Sequence, residues 1–348
     1  IIAKDLVVKA IENKKHVVTA NKALLANFGN ELFALAKKNN VTLAFEASVA
    51  GGIPILKSIR EGLAGNKIEW VAGIINGTTN FILTEMQEKG VTFAKALSEA
   101  QSLGYAEADP TFDIEGIDAA HKLTILAGLS FGIPMNFKDV YVEGIKALEQ
   151  KDIQYAEELG YRIKLLGIAK SRDKGIELRV HPTLIPEKRL IANVNGAMNA
   201  IVVKGNMVGP TLYYGAGAGA LPTASAVVAD LIDISRSSHV PPHGFEDNKI
   251  NSIPIYKIED AISGYYLRIR VSDKPGVLAE ITKLFGDKKI SIDAMLQKES
   301  KEHESEADIV ILSHLAVEKD INTVILAIES LSATIGKVIK IRLEELSK

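Results

Sequence analysis

The first apolar positions, Leu6, Val7, Ala10 and Ile11, recur at a helical period. HVVTA (16–20) then reads as a buried strand, and NKALLANFGNELFALAKKNN returns to helical spacing. VTLAFEASV predicts a second strand running into AGGIPILKSI, where Pro54 suits the first position of a helix. Strand and helix alternate here at the spacing of βαβ units, which predicts a mostly parallel sheet. From about residue 67 the texture changes. KIEWVAGIING predicts a strand and TTNFILTEMQEKG a helix, capped by Thr78 or Thr79 and stopped at Gly90. Further helices are predicted from Phe93 to Leu103 and from about Gly116 to Phe131. YRIKLLGIAKS, GIELRVHPTLI and AMNAIVVKG follow as strands, an α+β block with a large sheet.

Residues 237–262 hold three prolines and no sustained period, so they read as a linker. Beyond them YYLRIRV puts Leu267, Ile269 and Val271 on one face. Val277, Leu278, Ile281, Leu284 and Phe285 have helical spacing. ISIDAML and ADIVILS read as strands, Ile321, Val324, Ile325 and Ile328 as one helix face, and GKVIKIRL as a last strand. The order is βαββαβ, the ferredoxin-like arrangement. KESKEHESEAD (298–308) is a polar hairpin connection.

Composition narrows the function classes. At 348 residues two or three domains are expected. Lys plus Arg total 41 against 43 Asp plus Glu, so no net field favours nucleic acid or a membrane surface. The absence of Cys excludes disulfides, thiolate metal sites and a Cys nucleophile, and fits a cytoplasmic protein. No apolar run reaches the roughly 18 residues of a membrane span, and no signal peptide opens the chain. The chain starts with Ile in mid-pattern, so an upstream segment is expected.

The stretch densest in chemistry is GYAEADPTFDIEGIDAAHK (104–122), with Glu107, Asp109, Asp113, Glu115, Asp118 and Lys122. Asp118 and Lys122 are four apart and share a helix face. An exposed pair of this kind is worth only about 0.3–0.5 kcal/mol. The helix continues as LTILAGLSFGI, however, so its polar end is expected to face a cleft. A half-desolvated Lys among carboxylates suits proton donation to a developing alkoxide, and the remaining acids suit an ammonium group.

This segment resembles the substrate-site signature of homoserine dehydrogenases, which reduce aspartate 4-semialdehyde to homoserine with NAD(P)H. HVVTANKALLA (16–26), FEASVAGGIPI (45–55), GIINGTTNFIL (73–83), VNGAMNAIVVKG (194–205) and YGAGAGALPTASAVVADL (214–231) resemble the same family in the same order. The resemblance implies an α/β fold: a partial Rossmann-type nucleotide-binding domain over 1–50 completed by about 212–236, and a catalytic and dimerisation domain over 51–211. It implies Lys122 as the catalytic proton donor, Lys22 as a second active-site lysine, and Asp118, Glu107, Asp113 and Thr78 around the substrate. It further implies Thr19, Ala20, Lys22, Gly215, Gly217 and Gly219 beside an NADP or NAD cofactor. Glu46, Val49, Gly51 and Ile53 match a turn that holds Na+, a hard cation suited to oxygen ligands; an ordinary turn without an ion is the alternative. The dinucleotide fingerprint G-x-G-x-x-G is not near the start, so the residues that choose between NAD and NADP are expected upstream.

Residues 263–348 resemble an ACT domain, an amino-acid sensor. VSDKPGVLAEITKLFGDKKISI places Asp273 and Gly276 in a strand-to-helix turn, with the amides of Val277 and Leu278 able to receive an effector carboxylate. The family implies threonine as effector, in threonine, methionine and isoleucine biosynthesis, and a homodimer or homotetramer, through the middle sheet or through ACT pairing. Two readings compete. One is a truncated, non-catalytic amino-acid-binding and dimerising module. The other is a 2-hydroxy-acid dehydrogenase, which needs a catalytic His with an Arg. No such pairing stands out: His121 points a helical step away from the Asp118 face, and His181 and His239 sit at loops or strand ends as structural residues.

Overall fold

The computed structural model describes residues 2–236, 244–245, 253–298 and 305–346. Most of the expected linker with His239, and 299–304 of the hairpin connection, lie outside the described residues.

Helix α1 (Ile2–Glu12) packs on α2 (Lys22–Asn39), and β1 (Val17–Val18) pairs in parallel with β2 (Leu43–Ala44). The α2 helix stops at Asn40, left-handed at φ 55°, whose N–H reaches back to Ala36 and Lys37. The strand expected over VTLAFEASV keeps only two residues. From Glu46 to Ser48 the backbone turns into a 3₁₀ helix. The Glu46 amide donates to Asp230 Oδ2 at 2.8 Å, and its carboxylate accepts from the amides of Leu56 and Lys57 at 2.9 Å each. Those bonds replace a ladder. The carboxylate thereby caps α3 (Ile55–Lys57), which Pro54 precedes and a π turn over Ser58–Gly62 extends.

The middle of the chain comprises β3 (Ile68–Ile74), α4 (Gly77–Lys89), α5 (Phe93–Ser102), α6 (Thr111–Ile114), α7 (Ile117–Phe131), β4 (Tyr141–Val142), α8 (Gln150–Glu158), β5 (Tyr161–Arg172), β6 (Gly175–Pro186), β7 (Met198–Gly205), β8 (Gly209–Ala216) and α9 (Ala220–Ser235). Helix α4 is capped by Asn76, whose Oδ1 accepts from the Thr79 amide at 2.8 Å. The expected cap at Thr78 or Thr79 is thus displaced outward, because Asn at the preceding extended position satisfies the same orphan amide. Helix α7 is buried on nearly every face. Leu123, Ile125, Leu126 and Leu129 enter the main core, each contributing roughly 1.5–3 kcal/mol. Strand β8 was not anticipated, because Gly209, Gly215 and the exposed Leu212 and Tyr214 hide its alternation. His181 lies inside β6, fully buried, and not at a strand end.

The last portion is β9 (Ile262–Ser272), α10 (Val277–Asp287), β10 (Ile292–Gln297), β11 (Glu306–Val317), α11 (Glu318–Glu329) and β12 (Ile339–Leu343), the βαββαβ order expected. Its strands run β10-β11-β9-β12, all antiparallel. The sheet does not end there. Strand β12 pairs in parallel with β6, Arg342 opposite Thr183 and Leu343 opposite Leu184. Among the described residues one ten-stranded sheet results, in the order β10-β11-β9-β12-β6-β5-β3-β7-β8, with β4 also on β6. The tail of the expected linker is not loose either: Ile176 and Ile255 form a bridge.

The two faces of β9 show how the portions join. Tyr265, Leu267, Ile269 and Val271 pack under α10 and α11. Tyr266 and Arg268 point the other way, onto α8. There Asp152, with no exposed surface, accepts from Arg268 Nε at 2.6 Å, Arg268 Nη2 at 3.0 Å and Tyr266 Oη at 3.0 Å.

Candidate active site

A cleft of about 560 Å³ opens between the first turn of α7, the start of α4, the loop after α5 and the glycine turn before α9. That volume suits a small-molecule site. Gly116, left-handed at φ 81°, starts α7 and lets the chain turn sharply from Asp113 to Asp118.

Asp118 is the centre of the cleft. It is 5 % exposed, and every polar partner it has here is a donor. Lys122 Nζ lies 2.7 Å from Oδ2, Lys22 Nζ 3.1 Å from Oδ1, and Asn76 Nδ2 donates to Oδ2 at 2.9 Å. Burial opposes its charge, but Lys122, Lys22 and the hydrogen bonds outweigh burial and hold its carboxyl below the usual range. Asn76 Nδ2 also donates to Asp113 Oδ1 at 2.7 Å, so one amide ties the two acids together. Asp113 goes the other way: burial raises its pKa, the Asn76 bond opposes that, and the nearby Asp118 charge adds to it.

Lys122 completes its contacts with the Ile75 carbonyl at 2.8 Å, where β3 ends. Lys22 opens α2 with its ammonium 5.8 Å from the centre of the Phe112 ring. The acidic segment and the TANK segment, far apart in sequence, therefore meet. Thr78 lines the cleft and its hydroxyl donates to the Tyr105 carbonyl at 2.6 Å, fixing the loop that brings Leu103, Gly104 and Tyr105 to the wall. Glu107 does not join the lining; it is exposed on that loop. His121 is not remote from the charges. Its ring lies between Phe112 and Phe137, and burial lowers its pKa, with Asp118 opposing and Lys22 adding.

The opposite wall is backbone. Gly217 and Gly219 line the cleft, and Gly219 caps α9. A Cβ on Gly51 would meet the Gly217 carbonyl carbon at 2.6 Å, and the Gly52 amide donates to Ala216 at 3.1 Å. The two glycine turns thus pack backbone on backbone. Gly215 lies in β8 beside Ile53, outside the lining. Thr19 follows β1 and its amide donates to the Ala44 carbonyl, and Ala20 is exposed beside it. A helix N-terminus fronted by glycines fits the approach of a planar, polar cofactor ring. In the Glu46 turn the carboxylate is already engaged, so a cation there fits only the turn's carbonyls. No group of three His, Cys, Asp or Glu suited to a metal occurs among the described residues.

Two paired lysines, two carboxylates with pKa values pushed apart and a glycine wall are what carbonyl–alcohol interconversion needs. The family profile described as homoserine dehydrogenase matches residues 54–232, and that of its NAD binding domain matches 2–46. A curated homoserine dehydrogenase of Neisseria gonorrhoeae is 59 % identical over 99 % of this chain and 80 % of its own length. The chain belongs to the homoserine dehydrogenase family. The Pseudomonas aeruginosa homoserine dehydrogenase is 56 % identical, over 99 % of this chain and 81 % of its own. A crystal structure of a homoserine dehydrogenase from Thiobacillus denitrificans superposes with a TM-score of 0.94 at 60 % identity, covering 99 % of this chain and 80 % of that one. Residues 265–333 match the ACT domain. The chain is thus a homoserine dehydrogenase, an oxidoreductase with a nicotinamide-binding portion and an ACT module.

Asn76 was missed in the sequence. Its signal was legible as an Asn that ends a strand and precedes Gly-Thr-Thr, the usual chemistry of a helix cap; its second role, holding two acids, was not.

Proposed function

We propose that this chain interconverts L-homoserine and L-aspartate 4-semialdehyde with NAD or NADP. The Lys22–Asp118–Lys122 arrangement carries the reading. The nicotinamide, when bound along Gly217 and Gly219, supplies or accepts the hydride. Lys122 gives a proton to the oxygen that becomes the alcohol and takes it back in the oxidative direction. Asp118 keeps Lys122 aimed into the cleft, and Lys22 adds a second positive charge against developing alkoxide. Asp113 and Thr78 face the substrate's ammonium end. Glu107 joins them only when the loop that carries it folds inward.

The same reading gives Na+ to the carbonyls of Glu46, Val49, Gly51 and Ile53. It gives threonine or a similar amino acid to Asp273, Gly276, Val277 and Leu278, where the α10 amides begin. It also gives the chain a cytoplasmic place in threonine, methionine and isoleucine biosynthesis, and a dimeric or tetrameric assembly. The apolar side chains of Leu190, Met207, Val208 and Leu212, exposed at the β8 end of the sheet, support self-association there.

The test is nicotinamide oxidation with aspartate semialdehyde, measured on the enzyme at its full natural length beside Lys122→Ala. Wild-type turnover with a loss of about 10²–10⁴-fold in kcat for the folded variant supports the reading. A wild type that binds the cofactor and ignores the semialdehyde overturns it.

A further inference from the structure

A chain of contacts leads from a buried arginine of the ACT module, through the partly exposed Glu143, to the two acids of the cleft. Arg342, on β12, has no exposed surface. Its Nε and Nη2 donate to Glu318 at 2.9 and 2.6 Å, clamping the first residue of α11. Its Nη1 donates to Glu143 at 2.8 Å, and Nη2 to the Tyr141 hydroxyl at 3.2 Å, which itself donates to Glu143 at 3.0 Å. Arg342 therefore holds the ACT module through Nε and Nη2 and the catalytic portion through Nη1 and Nη2.

Glu143 is not at a free end. Its amide donates to Val180 in β6 at 2.8 Å, and Ile145 N donates to the Ile114 carbonyl at 2.9 Å. Between them Gly144 lies so close to the next strand of chain that a Cβ would fall 2.3 Å from the Ile114 oxygen and 2.6 Å from Glu115 Cα. A Cβ on Gly116 would in turn meet Val142 and Val180 at 3.2 Å. The segment so pinned, Ile114 to Gly116, is the link between Asp113 and Asp118. Close-packed backbone with no slack passes a displacement on rather than absorbing it.

We propose that Arg342 is a positioning residue: through Glu143 and Gly144 it sets the spacing of Asp113 and Asp118, and so makes the ACT module a structural part of the substrate site. For its kinetic assay the inference rests on the homoserine dehydrogenase reading. It predicts that loosening the strut harms substrate recognition while leaving cofactor recognition intact, because the glycine wall is on the opposite side of the cleft.

The experiment uses the full-length enzyme and two mild variants, Glu143→Gln and Arg342→Lys, each keeping volume while weakening the clamp. The KM for homoserine is expected to rise about three- to thirtyfold, with the KM for the nicotinamide cofactor within about twofold. Hydrogen exchange is expected to quicken at the amides of Ile145 and Ala120, on either side of the strut, and to stay unchanged in β3. A lower melting temperature with both KM values and both amides unchanged would overturn the proposal and leave Arg342 a packing residue. A wild type inactive on homoserine would defeat the functional reading instead, and the exchange measurement would still decide the strut.

Discussion

Replacing Asp118 with Asn isolates the central claim about the cleft, since shape is kept and one charge is removed. The three polar partners of the carboxylate all donate, and they come from Lys122, Lys22 and Asn76. An amide can accept at one end only, so its own NH2 must face one of these donors. Breaking a buried pair costs about 3–5 kcal/mol when the remaining charge stays buried. Lys122 stays buried here, with its side chain 12 % exposed, whereas the Lys22 side chain is 31 % exposed and can turn to water. The expected loss of stability is therefore nearer about 2–3 kcal/mol. Loss of aim at both lysines should cost kcat/KM about 10²–10³-fold, the scale of removing one preorganised donor from a developing oxyanion. The pH dependence gives an internal check. The carboxyl is held below its ordinary value in the fold, so the stability it contributes is complete above an unfolded pKa of about 3.9. It is lost as pH falls through the lower folded value. The gap between wild type and variant should then close in acid. Chemical denaturation across that range and steady-state homoserine oxidation are the assays. If Asp118→Asn keeps kcat/KM within about threefold, the carboxylate does not orient the lysines and the mechanism is wrong.

Two further outcomes follow from neighbouring features. In Gly217→Ala the new Cβ would lie 2.0 Å from Asn199 Nδ2, a side chain with no exposed surface, so the turn must shift. A rise of about 10–100-fold in the cofactor KM is expected, with about 1–3 kcal/mol of stability lost, by titrating cofactor and by melting. Lys164 is fully buried on carbonyl and amide oxygens of Val194, Asn80 and Asn195, and burial, against the pull of Glu88, brings its pKa down to about 8. Between that value and about 10.4 the unfolded chain binds the extra proton, so wild-type stability should climb with pH by roughly 3 kcal/mol. Lys164→Met should flatten that climb in denaturant titrations, whatever its effect at neutral pH.

Much of the site was readable because its chemistry is local. Asp118 and Lys122 share a turn, and the apolar run behind them said that the turn opens on something other than bulk water. Lys22 was readable only by resemblance, since a lysine at a helix start carries no signal of what faces it across the fold. The resemblance put Glu107 beside Asp118 on the substrate with Asp113 in support, yet Glu107 sits on the exposed side of its loop and Asp113 is held by Asn76. Glu107 lies on the loop that Thr78 anchors at Tyr105, while Asp113 sits in the short helix after it, and both placements depend on contacts between segments. The predicted strand over VTLAFEASV failed for a similar reason: its apolar residues are buried as expected, but Glu46 spends its hydrogen bonds on α3 and Asp230 instead of a neighbouring strand.

The junction between the catalytic and ACT portions was the least legible feature, and its physics explains why. YYLRIRV alternates apolar and polar as a half-exposed strand should, and GIELRVHPTLI carries Glu177, Arg179 and His181 on one face as if toward water. Both polar faces are buried, because the charges find each other: Arg268 finds Asp152, and Arg179 finds Glu344. Period tells which side chains share a face, and says nothing of whether a partner of opposite charge waits there. Once such a face is buried it constrains motion. Swinging the ACT module away would break the β6–β12 pairing and part Arg268 from Asp152 and Arg179 from Glu344. A displacement at the module would then pass as a small shift within a shared sheet, the route on which we propose Arg342 acts.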